Sequence, residues 1–448
     1  MPTSAGVKSI SKAGNPGLRD RQPQSDVNPR TTLPTAGFGI LSAGVRGILC
    51  WDSHTACGNC TVLYQNGRYA HPRAEGRRGV KVSEGRSSEN WAAWGDRILK
   101  HPLSSQIGST SMPVLIRFES SSLLGSAMFI CEDTLDDLMR ASIQAILKDG
   151  EPVEESSRGS NRELRGVLLR LTNPRARLSH TETKGKVFSP VGELAWYLAE
   201  SNDAGFIIYY IPKYKKESEA DGTIHGAYGP RLFSKDWGDQ FGNVVNLLRE
   251  KRSTKKAVIQ LFDSDDLCDT YKDVPCTCTL QFLIRSGRLY LITSMRSNDA
   301  YLGLPHDVFS FTMIQEIVAR LLDVEMGDYT HFAGSLHLYD KQADDAARLL
   351  DEGWQATEGA AMPPMPLGDP GPSIKVFLRA EAEIRDGHPV SGDVDGLDPY
   401  WQDLVRLLRV FRHSKDNDPE AVTLIKSQMA NRVYREFIAM RETPRRRA

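Results

Sequence analysis

Two regimes meet near residue 128, and that change constrains the fold more than any other feature of the chain. Residues 1–127 are rich in Gly, Ser, Pro, Arg and Thr and sustain neither a helical nor a strand period. Segments such as RTTLPTAGFG and AHPRAEGRRG read as loop, and only MPVLIRFE at 112–119 suggests a strand. Beyond Met128, apolar runs of strand length alternate with long amphipathic stretches. In MFICEDTLDDLMRASIQAILKDG, Asp133 or Thr134 can cap a helix carrying Leu135, Leu138, Met139, Ile143 and Ile146 on one face. ELRGVLLRLTN, KKAVIQLFD, CTLQFLIRSG, RLYLITSMRS and GSLHLYD read as strands, with Ser286-Gly287 as the turn joining the third to the fourth. PVGELAWYLAES and DQFGNVVNLLREK read as helices, and VFSFTMIQEIVARLLDVEMG as a long apolar helix ended by Gly327. A Pro/Gly-rich link at 360–373 precedes helices near 399–411 and 419–441. The pattern predicts an α+β fold, a mixed or antiparallel sheet packed by long helices.

Three regions follow. Residues 1–127 are expected to be a basic, low-complexity, dispensable extension, with Met128 standing where an initiator would; a basic arm that touches a polyanion is the alternative. Residues 128–355 form the main domain. Residues 356–448 are the link and the C-terminal helices, expected to pack on that domain. The extension holds 15 Lys+Arg against 8 Asp+Glu, whereas the whole chain holds 56 against 57, net −1. A chain-wide polycation that coats nucleic acid is therefore excluded. No run approaches the roughly 18 apolar residues of a membrane span, and the first twenty residues lack the apolar core of a signal peptide. Seven cysteines, an odd number without framework spacing, fit a reducing cytoplasm.

Two clusters invite a chemical reading. His54, Cys57 and Cys60 in HTACGNC have spacings a zinc site can use, but no fourth ligand is evident, so the expectation is no metal. VPCTCTLQF puts Cys276 where a loop enters a strand, with Cys278 two residues on. A lone cysteine there is ordinarily a small buried hydrophobe. Its company changes the reading: MRSND at 295–299, LGLPHD at 302–307 and GSLHLY at 334–339 follow, and ELAWYL, GAYGPRLF and DQF precede it.

These motifs, in this order over about 165–345, resemble the thymidylate synthase family and its pyrimidine-modifying relatives. The resemblance implies a thymidylate-synthase-like fold, a homodimer formed through the sheet, and 5,10-methylenetetrahydrofolate as co-substrate of a pyrimidine nucleotide monophosphate. The chemistry suits the residues. C5 of a pyrimidine is a poor nucleophile until a thiolate adds to C6 and breaks the aromaticity. Cys276 matches the family's nucleophile, and Arg296 the arginine that supplies positive charge and holds the phosphate. By resemblance Ser297 is a second phosphate contact, and His337 and Tyr339 bind the sugar 3′-hydroxyl. Glu193 manages protons at the base through ordered water, Tyr228 helps remove the C5 proton, and Asp299 lies near the pterin and the base.

Departures from the synthase pattern point to the substrate. Where synthases continue LGLP with Phe-Asn, this chain has His306 and Asp307. An ionised Asp only accepts, so it opposes O4 of uracil but satisfies the N4 amine of cytosine. N3 of cytosine then needs either a proton kept on Asp307 or another donor. The same Asn-to-Asp exchange marks the family's cytidylate hydroxymethylases. Synthase tryptophans that cover the site are missing between ELAWYL and GAYG; Tyr209, Tyr210 and Tyr214 occupy that stretch, a change that favours water as the final reactant. Lys255 and Lys256 stand where the family's paired arginines reach the neighbouring subunit's phosphate, and the resemblance offers Arg175 and Arg177 in NPRARLS as further phosphate ligands, since the family places an arginine-bearing loop near this point. The synthase C-terminal tail is not recognisable. The expected enzyme is thus a cytidylate 5-hydroxymethylase. CMP stands ahead of dCMP because the Arg/Gly/Ala-rich N-terminus suggests a high-GC genome, where nucleoside-antibiotic pathways are common. A thymidylate synthase acting on dUMP and a non-catalytic RNA-binding relative are the alternatives; no membrane or nucleic-acid partner is expected.

Overall fold

The computed structural model describes residues 128–442 apart from 157, 184–186, 234–237 and 354–358. The expectations for 1–127, including the 112–119 strand and the His54, Cys57 and Cys60 cluster, lie outside the described residues.

Strand β1 (Phe129–Glu132) leads into helix α1 (Leu135–Asp149), which Thr134 caps by accepting from the Asp137 amide. The apolar stripe read from the sequence is fully inside: Leu135, Leu138, Met139, Ile143 and Ile146 are all buried. Strands β2 (Glu151–Val153) and β3 (Asn161–Leu171) follow, then helices α2 (Phe188–Leu198), α3 (Ala204–Tyr210), α4 (Tyr228–Phe233) and α5 (Gln240–Glu250). Strands β4 (Val258–Gln260), β5 (Thr277–Arg285) and β6 (Arg288–Asp299) lead to helix α6 (Leu304–Leu321) and strand β7 (Glu325–Tyr339). The sheet runs β1-β3-β7-β6-β5-β4, with β2 paired to β3. β1 with β3 and β6 with β7 are parallel; the other pairs are antiparallel, so the sheet is mixed. The fold class is the α+β arrangement read from the sequence.

One boundary differs. The apolar run at 308–327 is not one helix: α6 begins at Leu304 and stops at Leu321, and Gly327 lies inside β7. A Cβ at Gly327 would stand 2.8 Å from the Tyr290 ring, so this glycine permits close strand approach rather than capping a helix.

The C-terminal region holds helices α7 (Ala343–Asp351), α8 (Gly371–Asp386), α9 (Pro399–Asp416), α10 (Pro419–Gln428) and α11 (Arg435–Glu442). α8 was not legible beside the Pro/Gly-rich link, and the 419–441 helix is two helices separated by a 3-10 turn at Arg432–Tyr434. These helices join the main core: Trp401, Leu404, Leu407, Leu408 and Phe377 are buried, and Tyr210 donates to Glu381 at 2.7 Å. Among the described residues no helix is long and apolar enough to cross a membrane.

Candidate active site

Three adjacent strands build one end of the site. Register sets Asp299 of β6 opposite His337 of β7, and Glu163 of β3 opposite the same His337. Ser297 faces Ser335 across the same ladder. His337 and Tyr339 are buried and pack edge to face with centroids 4.9 Å apart. Alternation puts both side chains on one face of β7. Burial depresses the His337 imidazole below the ordinary histidine value, so it presents a neutral ring.

Cys276 sits at the entry to β5 and is half-buried. Its carbonyl accepts from the Arg296 amide at 2.8 Å, which fixes the loop to β6. The Arg296 side chain donates to the carbonyls of Pro275 (3.0 Å) and Val274 (2.9 Å), closing a clamp around the cysteine. Burial pushes the Cys276 thiol up to about 11; Arg296 draws it down, Asp273 and Asp307 reinforce burial, and Arg158 opposes. Asp273 is itself raised to about 6, by burial and then by Glu217. Tyr228 opens α4, and its hydroxyl accepts from the Thr277 amide (3.2 Å) and hydroxyl (2.9 Å), so it touches the residue next to the cysteine.

The far wall is α2 and the first turn of α6. Glu193 projects from α2 and is 4% exposed. It accepts from the Tyr214 hydroxyl at 3.0 Å and meets His306 Nδ1 at 2.6 Å. Asp307, half-buried on the next residue, accepts from Asn298 Nδ2 at 2.6 Å. Burial, and then the Glu193 charge, hold the Asp307 carboxyl well above the usual carboxylate range, against the pull of the Asn298 hydrogen bond. Asp299 is anchored through Oδ1, which accepts from the Tyr301 and Leu302 amides at 2.8 Å each.

The structure thus gathers Cys276, Arg296, Tyr228, Glu193, Asp307, Asp299, His337 and Tyr339 around one region. Lys255 and Lys256 are exposed just before β4. Arg177 is a correction. Arg175 bonds Glu316 at 2.7 Å, and the fully buried Arg177 bonds the other oxygen of the same carboxylate. The charges that act on Cys276 are Arg296, Asp273, Asp307 and Arg158, whereas Arg175 and Arg177 act on Glu316 and on Tyr400 of α9. Arg177, fully buried on that carboxylate, is no free phosphate ligand, whereas Arg175 stays partly exposed. Of the three tyrosines between ELAWYL and GAYG only Tyr214 bonds Glu193; Tyr210 turns to Glu381, and Tyr209 packs on Phe411.

Four site residues were given no role in the sequence reading. Asn298 and His306 lie inside motifs already singled out, so their positions were a usable signal. Arg158 and Asp273 lie in loops without pattern, and Arg158 pairs with Glu217 at 2.9 Å beside the cysteine. Among the described residues no three His, Cys, Asp or Glu side chains converge as metal ligands.

The thymidylate synthase family model matches residues 140–375, more than half of the chain, and the chain belongs to that family. A deoxyuridylate hydroxymethyltransferase of Pseudomonas phage M6 is 31% identical over 173 residues, covering 38% of this chain and 49% of the phage protein. A deoxyuridylate hydroxymethyltransferase of Bacillus phage SP01 is 26% identical over 331 residues, 66% of this chain and 84% of that protein. The chain therefore spans about half the length of the first relative and most of the second. The solved structure of thermostable thymidylate synthase A from Bacillus subtilis is 24% identical, with a TM-score of 0.43, covering 50% of this chain and 86% of that one. Members of the family use 5,10-methylenetetrahydrofolate as co-substrate.

Proposed function

We propose that the chain transfers a one-carbon unit from 5,10-methylenetetrahydrofolate to C5 of cytidine 5′-monophosphate, CMP ahead of dCMP, with water completing a 5-hydroxymethyl product. The observation that carries the base assignment is Asp307. Its Oδ2 accepts from Asn298, and its carboxyl is biased toward the protonated form. A neutral acid held in this way has a carbonyl oxygen to accept from N4–H and a hydroxyl to donate to N3. This answers the need for a donor at N3.

The other roles follow from position. Cys276 adds to C6, forming the C–S bond and moving the ring's electron pair toward C5. Arg296 and Ser297 bind the phosphate, and Arg158, beside the thiol, adds a cation the same anion can use. His337 and Tyr339 hold the sugar 3′-hydroxyl. Glu193 handles protons at the base, and Tyr228 assists at C5. The donor set suits a pterin, since Asp299 offers a carboxylate, anchored through one oxygen, to ring N–H groups. When bound, the folate supplies carbon at the oxidation level of formaldehyde. Lys255 and Lys256 reach a second copy's phosphate in a homodimer formed through the sheet. Alternation along the central strands leaves Leu283, Ile292 and Phe332 half-buried or exposed, which supports that pairing.

Hydroxymethylation of dUMP is the second reading, because both phage relatives are named deoxyuridylate hydroxymethyltransferases. A neutral acid can also donate to O4 and accept from N3–H. One assay separates the two. Wild type with methylenetetrahydrofolate is offered CMP, dCMP, UMP and dUMP, and the products are weighed. The expected result is CH₂OH addition to a cytidylate in preference to a uridylate. Asp307→Asn should lose that activity and gain uridylate binding. Preference for dUMP with a hydroxymethyl product establishes the second reading; a methyl product from dUMP identifies a synthase.

A further inference from the structure

His306 stands where synthases of the family carry Phe, and the roles above give it nothing to do. Its ring lies in the first turn of α6, where the His306 amide donates to Gly303 O at 2.9 Å and so fixes the backbone. Nδ1 is 2.6 Å from Glu193 Oε2, and Nε2 is 3.4 Å from Ser189 Oγ. Ser189 and Glu193 are one turn apart on α2, so both ring nitrogens address one face of that helix. A carboxylate only accepts, so Nδ1 carries the hydrogen. Tyr214 donates to the other carboxylate oxygen. Glu193 is thereby held from two sides, by a phenol hydroxyl and an imidazole.

We propose that His306 is a positioning residue for Glu193: its Nδ1–H, with the Tyr214 hydroxyl, fixes the orientation in which the Glu193 carboxylate meets the bound pyrimidine. The inference rests on the reading of Glu193 as the group that handles protons at the base. It goes beyond that reading by assigning the residue that aims it. The link is short and stiff. Neighbours in sequence, His306 reaches Glu193 while Asp307 is held by Asn298 of β6, so one helical turn sets both carboxyl groups against each other. A phenylalanine there could pack between α2 and α6 but could not donate.

The test uses the full chain as wild type, His306→Phe and His306→Asn, the Asn amide nitrogen standing close to where Nδ1 stands. His306→Phe should keep the nucleotide KM and Kd within about threefold and lower kcat about 10–100-fold, the loss expected of a misaimed group. His306→Asn should recover about tenfold of that. An unchanged kcat in His306→Phe overturns the proposal. So does a fall in nucleotide affinity that parallels kcat, which marks a purely structural role. A second readout needs no turnover: a downfield imidazole proton resonance in wild type, lost in both His306→Phe and Glu193→Ala. Its absence from wild type also overturns the proposal. Failure of wild type on every pyrimidine nucleotide would sink the functional reading instead, and the resonance then decides the His306–Glu193 bond by itself.

Discussion

Asp307 is a half-buried acid next to a second carboxylate, and that placement costs stability. Its folded-state pKa lies well above the ordinary value, through burial and then Glu193. Between the unfolded and folded values the folded state holds a proton that the unfolded state has released, so stability falls as pH rises through that window. Asp307→Asn should therefore raise Tm, with a gap that widens from acid to neutral pH, even as it loses cytidylate turnover. Scanning calorimetry across pH checks the sign; a gap that narrows as pH rises would refute it. Cys276 gives the second test at this scale. Asp273 is the carboxylate that pushes its thiol upward most, and near neutral pH and above it is largely ionised. Asp273→Asn should speed iodoacetamide alkylation of Cys276 a few-fold at about pH 8, because the thiolate is the reactive form. Peptide mapping against Cys276→Ala identifies the site. Asn298, by contrast, had no assigned role in the sequence, because a side chain's partner is set across a turn rather than along the chain.

Helix α6 is where an element's pattern misled. Its apolar run continues into β7, and nothing in a continuous apolar stretch marks the change of period. The break falls at Leu322, and Asp323 takes a left-handed conformation, φ 49°. The same helix carries the fully buried Glu316, which takes Arg175, Arg177 and the Met365 amide and has Arg320 at 3.8 Å. Burial works against its charge, but the two arginines hold its carboxyl below the usual range. Its contribution is present above the ordinary glutamate value and is lost as pH falls through the depressed one. Glu316→Gln strands the buried Arg177 and should cost about 3–5 kcal/mol. Urea unfolding measures it, and a loss below about 1 kcal/mol would mean that water reaches the cluster.

At the scale of the molecule, the site residues are carried between Arg158 and Tyr339, but the C-terminal helices are part of the same core. α9 buries Trp401 and Leu404, and Arg320 Nε donates to Met365 O at 2.8 Å from α6. Removing residues 1–127 should leave turnover and Tm unchanged, and a sizing measurement should read twice the chain mass. Insoluble truncated protein would show instead that the extension packs on the domain. The sequence alone determined most of the element types, the strand alternation and the motif order, because each is written in local spacing: period 2, period 3.6, and residues a few positions apart. It also singled out Cys276, Glu193, Arg296, Asp307, His337 and Tyr339. What only the tertiary structure decided is who meets whom. Arg175 and Arg177 went to Glu316, Tyr214 rather than Tyr209 or Tyr210 went to Glu193, and His306 found Glu193 across 113 residues. The reason is physical. Buried polar groups must be satisfied by whatever packing brings within about 3 Å, and that proximity is a property of the folded chain, with no trace in local spacing.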